Sequence, residues 1–243
     1  MNDLLTILIP VRNEKENVHI VTDEIQKKIK NSNFEILFIN DYSEDNTKEE
    51  LEKICKLNPN IFYHENNRKG LGGAMDIGFQ KSRGKYICIF MCDSSDTVED
   101  LNRYYDEITE KNLDAVLGSR FIKGGKVVDY PFIKLAFNRI GNLMAKLLLW
   151  TDLNDFTNGF KIYKKDTLLN LYPLVSEDFN IFFELPIKTI TRGFKYSIIP
   201  VSYYNRKVGE AKFRIEELGS KYIFTLLYCF FEKILLKKRK SKV

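Results

Sequence analysis

In the first 120 residues, short apolar runs alternate with amphipathic stretches, and that alternation limits the fold more than any other feature of the chain. LLTILIPV (Leu4 to Val11), FEILFIND (Phe34 to Asp41), KYICIFMC (Lys85 to Cys92) and LDAVLGS (Leu113 to Ser119) read as strands, with NIFYHE near residue 60 as a weaker member of the series. Between them Val18, Val21, Ile25 and Ile29 recur at helical spacing, as do Leu51, Ile54 and Leu57. Strands that are apolar almost throughout have no wet face, so they belong in a parallel sheet covered by helices on both sides. The expected fold is α/β, with a Rossmann-like, mostly parallel sheet.

Function follows from where such a sheet binds. Open parallel sheets take their ligands at the carboxyl ends of the strands. Those ends carry VRNEKEN, NDYSEDNT, ENNRKGLGGA, DSSD and GSRF, and four of the five set Asp, Glu or Arg beside small turn residues. The segment FMCDSSDTVEDL gathers Asp93, Asp96, Glu99 and Asp100 just past an apolar run. Spacing alone leaves two readings, a metal-binding strand end or a polar loop opening into the acid-rich first turn of a helix. The turn after the first run lacks the glycines that a dinucleotide pyrophosphate needs, which argues against an oxidoreductase.

Charge and cysteine content exclude other classes. Of 38 basic and 33 acidic residues, five of the basic ones lie in the last seven positions, KKRKSKV, and the remainder balances at 33 against 33. The basic excess is a tail rather than a face, so no nucleic-acid partner is expected. Cys55, Cys88, Cys92 and Cys229 form no CxxC pair and read as core thiols, with Cys88 and Cys92 on one face of a strand. The start, MNDLLTILIPVRNE, has neither a basic opening nor a long apolar run, so no signal peptide or membrane anchor is expected, and the cytoplasm is the expected compartment.

The second half has a different texture. FIKLAFNRIGNLMAKLLLW puts Ile133, Phe137, Ile140, Met144 and Leu147 on one helical stripe, interrupted elsewhere by Lys134, Arg139 and Lys146. YIFTLLYCFFEKILLKKRK is apolar around most of its circumference but short for a membrane span before its basic tail. Such a helix lies in an anionic membrane interface, or it packs against the core or a second copy in a homo-oligomer.

Taken in order, the loop-end residues resemble family 2 glycosyltransferases of the GT-A fold. The likeness is to the branch of dolichol-phosphate mannose synthase and bacterial polyprenyl-phosphate glycosyltransferases, and it runs from about Thr6 to Lys212. IPVRNEKENV resembles the family's P-x-x-N-E-x-E-N turn, which implies that Pro10, Asn13 and Glu14 line a nucleotide pocket. INDYSEDNT resembles D-D-G-S-x-D-x-T, with Asn40 and Tyr42 as departures, and implies that Asp41 meets the base with Ser43 beside it. NRKGLGGA resembles the N-x-G-x-G-x-A segment, whose Gly70 and Gly72 would let backbone approach phosphate. CDSSDTVED is similar to the G-D-A-D-D-T branch of the D-x-D motif, with Ser95 in place of one acid. The resemblance thus makes Asp93 and Asp96 ligands of Mg2+ or Mn2+, and leaves Glu99 and Asp100 to a helix start.

Farther on, GSRF, DFTNGFKIYKKD, FNIFFELPIKTITRGFK and YYNRKVGEAK resemble the family's S-R-F, D-x-x-x-x-F-R-x-Y, E-F-E-I-E-L and R-x-x-G-x-S-K elements. These nominate Arg120 for the nucleotide and Asp155, Glu184, Arg206 and Lys212 for catalysis, with Lys161 where arginine is usual and Ala211 where serine is usual. The implied domain spans 1–243, with a nucleotide-sugar half over 1–120, an acceptor half over 121–215, and an amphipathic helix with a basic tail over 216–243.

The implied reaction is an inverting displacement at the anomeric carbon of a UDP- or GDP-sugar, at the cytoplasmic face of a membrane and onto a polyprenyl phosphate. That acceptor is already an oxyanion near neutral pH and needs no strong base. A saccharide or protein hydroxyl acceptor would need one, with Asp155, Asp178 and Glu184 as the candidates. A non-catalytic nucleotide-sugar-binding member is the third reading, motivated by Met91 and Ser95 in the metal motif.

Overall fold

The computed structural model describes residues 3–204 and 215–235. Strands β1 (Leu5–Val11), β2 (Phe34–Asn40), β3 (Ile61–Glu65), β4 (Tyr86–Ile89) and β5 (Ala115–Ser119) follow the apolar runs. With β7 (Lys161–Lys164) and β8 (Tyr196–Pro200) they form a seven-stranded sheet in the order β3-β2-β1-β4-β7-β5-β8. All of its pairings are parallel except those of β7, which runs antiparallel between β4 and β5. Two three-residue strands, β6 (Lys126–Val128) and β9 (Ser202–Tyr204), pair parallel beside it.

Helices cover both faces, as the uninterrupted strand hydrophobicity demands. On one side α1 (Asn17–Lys28), α2 (Thr47–Leu57) and α4 (Val98–Glu110) pack onto Leu5, Ile7, Ile9, Ile36 and Phe38. On the other, α3 (Leu71–Lys81), α5 (Phe132–Leu149), α6 (Lys165–Leu169), α7 (Ile181–Thr191) and α8 (Ile215–Leu235) share a core with Leu8, Leu37, Ile39, Ile87 and Ile89. The period-2 alternation of β1 and β2 sends successive side chains to opposite cores.

Two expectations need amendment. Strand β4 ends at Ile89, so Cys92 lies past it rather than on a strand face with Cys88, although both thiols are buried. Leu57, expected on the buried stripe of α2, is the last helical residue and is 82% exposed. On α5 the periodic stripe faces outward: Phe137, Ile140, Met144 and Leu147 are exposed, while Asn142, Ala145 and Leu149 face the core. Helix α8 packs on α7 through buried Leu226 and Cys229 and exposes Phe224, Leu227, Phe231 and Leu235. Helices α5 and α8 also touch, with Lys233 donating to the Leu149 carbonyl at 3.0 Å.

Candidate active site

From β1 the chain crosses to β2 and β3 on one side, while β4 lies on the other, so the strand order reverses between β1 and β4. A crevice opens at the carboxyl ends of strands where the order reverses, and the predicted site residues collect there. Because β7 is antiparallel, it begins at this same edge, with Lys161 opposite Ile89 of β4 and Leu117 of β5. The residues leading into β7 therefore face those leaving β4 and β5.

The first two loops are zipped together. Asn13, at φ 54°, donates its amide to Ser43 Oγ at 3.0 Å and accepts from the Glu44 amide at 2.7 Å. The Glu14 amide donates to Thr47 Oγ1 at 2.9 Å, and Thr47 is in turn held by Asp45. Pro10 is buried in β1 just before this turn. The resemblance places Asn13, Glu14 and Ser43 on a nucleotide, and the structure adds that Asn13 and Ser43 brace each other across the two strand ends while Glu14 is held by Thr47.

Asp41 reaches the glycine-rich turn directly. Its Oδ1 accepts from the Gly70 amide at 2.9 Å and from Asn66 Nδ2 at 2.7 Å, and Asn66 also donates to the Gly70 carbonyl. Asn66 was missed at the sequence level; its position between the third apolar run and the glycines was the available signal. Gly70 sits at φ 112°, where L side chains are strained. A Cβ on Gly72 would stand 2.1 Å from the Ser176 carbonyl oxygen, because the loop before α7 presses on the turn. The amide of Gly72 donates to the Glu177 carbonyl at 2.8 Å. Helix α3 starts here, with the amides of Gly70 and Gly72 taken by Asp41 and the Glu177 carbonyl.

Two strand spacings from the end of β2, about 10 Å across the sheet, the acidic loop follows β4. Asp93 is partly exposed and accepts from the Ser95 amide at 3.1 Å. Asp96 is buried and accepts from the Met91 amide at 3.0 Å; burial, with the charge of Asp93 added, pushes its carboxyl up to about 8. The charge of Asp93 bears on Asp96, a repulsion that a cation would relieve, and hard oxygens suit Mg2+ or Mn2+. Among the described residues no cluster of three or more protein ligands exists, so any ion held here would take its remaining ligands from a diphosphate and water. Ser95 is buried, and its carbonyl accepts from the Tyr204 amide at 3.1 Å. Asp100 is in the first turn of α4, as expected, but it also accepts from the Ser202 amide at 3.0 Å. Strand β9 is thereby stitched to the acidic loop. Tyr203 is partly buried beside it, its phenol pushed up to about 12 by burial and by the charge of Asp93. Arg206 and Lys212, nominated for catalysis, lie outside the described residues.

Three nominated residues are engaged elsewhere. Arg120 and Asp155 form a bidentate pair at 2.7 and 2.8 Å, 7% and 0% exposed. Burial works against the charge, but Asp155 outweighs it and holds the guanidinium above its usual value. Thr157, bonded to Arg120 at 3.1 Å, ties the pair to Asn138 of α5. Glu184 is 0% exposed; it accepts from the amides of Val175 and Ser176 and pairs with Lys188 at 2.6 Å. A carboxylate with no exposed surface and both oxygens engaged is not placed to take a proton from an acceptor. Asp178 is partly buried and pairs with Lys221 of α8.

The model of glycosyl transferase family 2 matches residues 6–171. The chain is similar to polyprenol monophosphomannose synthase of Mycolicibacterium smegmatis, at 26% identity over 88% of this chain and 86% of that protein. It is also similar to undecaprenyl-phosphate mannosyltransferase of Micrococcus luteus, at 28% identity over 86% of each chain. Its fold matches glucosyl-3-phosphoglycerate synthase of Mycobacterium tuberculosis, crystallised with Mn2+, UDP and phosphoglyceric acid, with a TM-score of 0.72, 14% identity, and coverage of 94% of this chain and 78% of that one.

Proposed function

Because the chain belongs to glycosyl transferase family 2, we propose that it transfers a sugar from a UDP- or GDP-sugar to a polyprenyl phosphate, with inversion, at a membrane surface. One observation carries the choice of acceptor. Of the three carboxylates the sequence offered as bases, Asp155 and Glu184 are sealed into ion pairs and Asp178 is paired with Lys221. An acceptor phosphate brings its own oxyanion, and a site in which these three carboxylates are engaged suits it. Both the Mycolicibacterium and Micrococcus relatives are named for such acceptors.

Each part of the cleft then has a task. The glycine turn lines the nucleotide, and Asp41, whose Oδ1 is committed to Gly70, meets the base through Oδ2. Asp93 and Asp96 hold Mg2+ or Mn2+, and a bound ion would neutralise charge on the leaving diphosphate. Arg206 and Lys212 act on the same charge. The buried Arg120–Asp155 pair is scaffold: it fixes the loop entering β7 against the end of β5.

The lipid would reach this site from α5 and α8. Their exposed Phe, Leu, Ile and Met side chains, each worth about 1.5–3 kcal/mol on leaving water, are flanked by Arg139 and followed by the basic tail, while Trp150 at the end of α5 is 92% exposed. Among the described residues no helix is long and apolar enough to cross a membrane, so these faces suit a peripheral mode of contact.

The test mixes purified protein, labelled UDP- and GDP-sugars, polyprenyl phosphate and Mg2+ or Mn2+, and measures label extracted into organic solvent. Transfer that falls at least about a hundredfold with chelator and in Asp93→Ala is expected. Product that stays in water, or transfer indifferent to Asp93, would overturn the reading.

A further inference from the structure

We propose that Arg12 is a further donor-binding residue, its guanidinium taking the phosphate nearest the nucleoside; the proposal rests on the reading that Asp41 meets the base and the acidic loop the far end of the diphosphate. Register fixes its position. Val11 lies opposite Asn40 in the pairing of β1 with β2, and the Asp41 amide donates to the Val11 carbonyl at 2.8 Å. Arg12 is the next residue, level with Asp41 and one strand spacing, about 5 Å, from it. On the other side Leu8 pairs with Ile89, and the Phe90 amide donates to the Leu8 carbonyl at 2.9 Å. The chain entering the acidic loop therefore runs beside the end of β1. Arg12 thus stands where the strand order reverses, between the residue for the base and the residues for the diphosphate. In a nucleoside diphosphate the part between those two ends is the ribose and the first phosphate.

The side chain is uncommitted. Arg12 is partly buried, yet among the described residues it has no hydrogen-bond or ion-pair partner, even with Asp41 beside it. Asp41 gives its Oδ1 to Gly70 and Asn66 instead. Donors that are sheltered from water and lack an acceptor are costly, and a phosphate supplies acceptors in the geometry that a guanidinium fork matches.

The charges around it sharpen the need. Asp41, Asp93 and Asp96 gather acid at strand ends where an anionic donor is to bind. Arg120 is engaged by Asp155 and Lys161 by main-chain carbonyls, while Lys15, Arg68 and Lys69 are exposed. Of these described cations, Arg12 is the one both sheltered and unpaired.

Two variants test the contact. Arg12→Met removes the charge and keeps an unbranched apolar stem, and Arg12→Lys keeps the charge but loses the fork. UDP and GDP are titrated calorimetrically into each, uridine and guanosine are competed against them, and melting is followed by circular dichroism. Affinity for the nucleoside diphosphate that the wild type binds should fall at least about tenfold in Arg12→Met, and less in Arg12→Lys. Nucleoside affinity and melting temperature should stay at the wild-type values, since Arg12 holds no other part of the fold. Donor KM should rise in step with kcat within about threefold, because a phosphate remote from the breaking bond is bound alike in the ground and transition states. Wild-type diphosphate affinity in Arg12→Met overturns this proposal alone. An equal loss of nucleoside affinity would assign Arg12 to the base, and a lowered melting temperature would make it structural; either overturns the phosphate contact. A wild-type chain that binds neither UDP nor GDP overturns the donor site itself, and the proposal with it.

Discussion

Lys161 is the side chain whose surroundings differ most from those its type prefers. It is 1% exposed, donates to the carbonyls of Phe156 and Phe182 at 3.2 and 3.3 Å, and burial lowers its pKa to about 7. In the unfolded chain a lysine titrates near 10.4. Between those two values the unfolded state carries a proton that the folded state has shed, so stability rises as pH climbs from about 7 toward 10. Thermal melts of the wild type and Lys161→Met should therefore diverge over pH 6 to 9, the wild type gaining on the variant; parallel curves would show that Lys161 stays charged when folded. The likeness to a family motif marked this position as cationic but said nothing of its burial. The same limit applies to Arg120, Asp155 and Glu184. A charged letter reads the same at the surface and in the core, and only the fold shows which partner it meets.

At the scale of elements, α5 shows what periodicity conveys and what it omits. Spacing placed Phe137, Ile140, Met144 and Leu147 on one stripe, and they do share one; that the stripe faces away from the core depends on how Asn142, Ala145 and Leu149 dock. Replacing those four exposed residues by serine should leave the melting temperature within a few degrees. It should also weaken binding to anionic polyprenyl-phosphate vesicles at least tenfold in sedimentation, since each side chain contributes about 1.5–3 kcal/mol of apolar transfer. Undiminished sedimentation would assign the face to another partner. Strands β1, β2, β4 and β5 were legible because double-sided burial writes a continuous apolar run, and half-buried β3 wrote a weaker one. Strands β6 and β9 have three residues each and β7 begins and ends in lysine, so no run or alternation announces them. The loop of residues 174–178 was illegible for another reason: it acts through main-chain carbonyls and amides, which every sequence possesses.

Across the whole molecule, the sheet is where local and distant chain meet. The candidate cleft draws on strand ends from the first 120 residues, in the order the alternation implied, whereas its floor is completed by Lys161 and its neighbours from far along the chain. That arrangement has a cost during synthesis. Strand β4 ends at Ile89 and its partner β7 begins at Lys161, so 72 positions separate the two sides of the pairing (161 − 89). Until β7 emerges from the ribosome, β4 is an apolar edge with open amides and carbonyls, a template for pairing with another chain. A chain stopped at residue 155 should collect in the insoluble fraction on expression, and a soluble monomeric fragment would show that the edge is covered some other way. The antiparallel strand that brings the two halves of the cleft together thus also sets a vulnerable interval in biogenesis, one that closes only when β7 slots between β4 and β5.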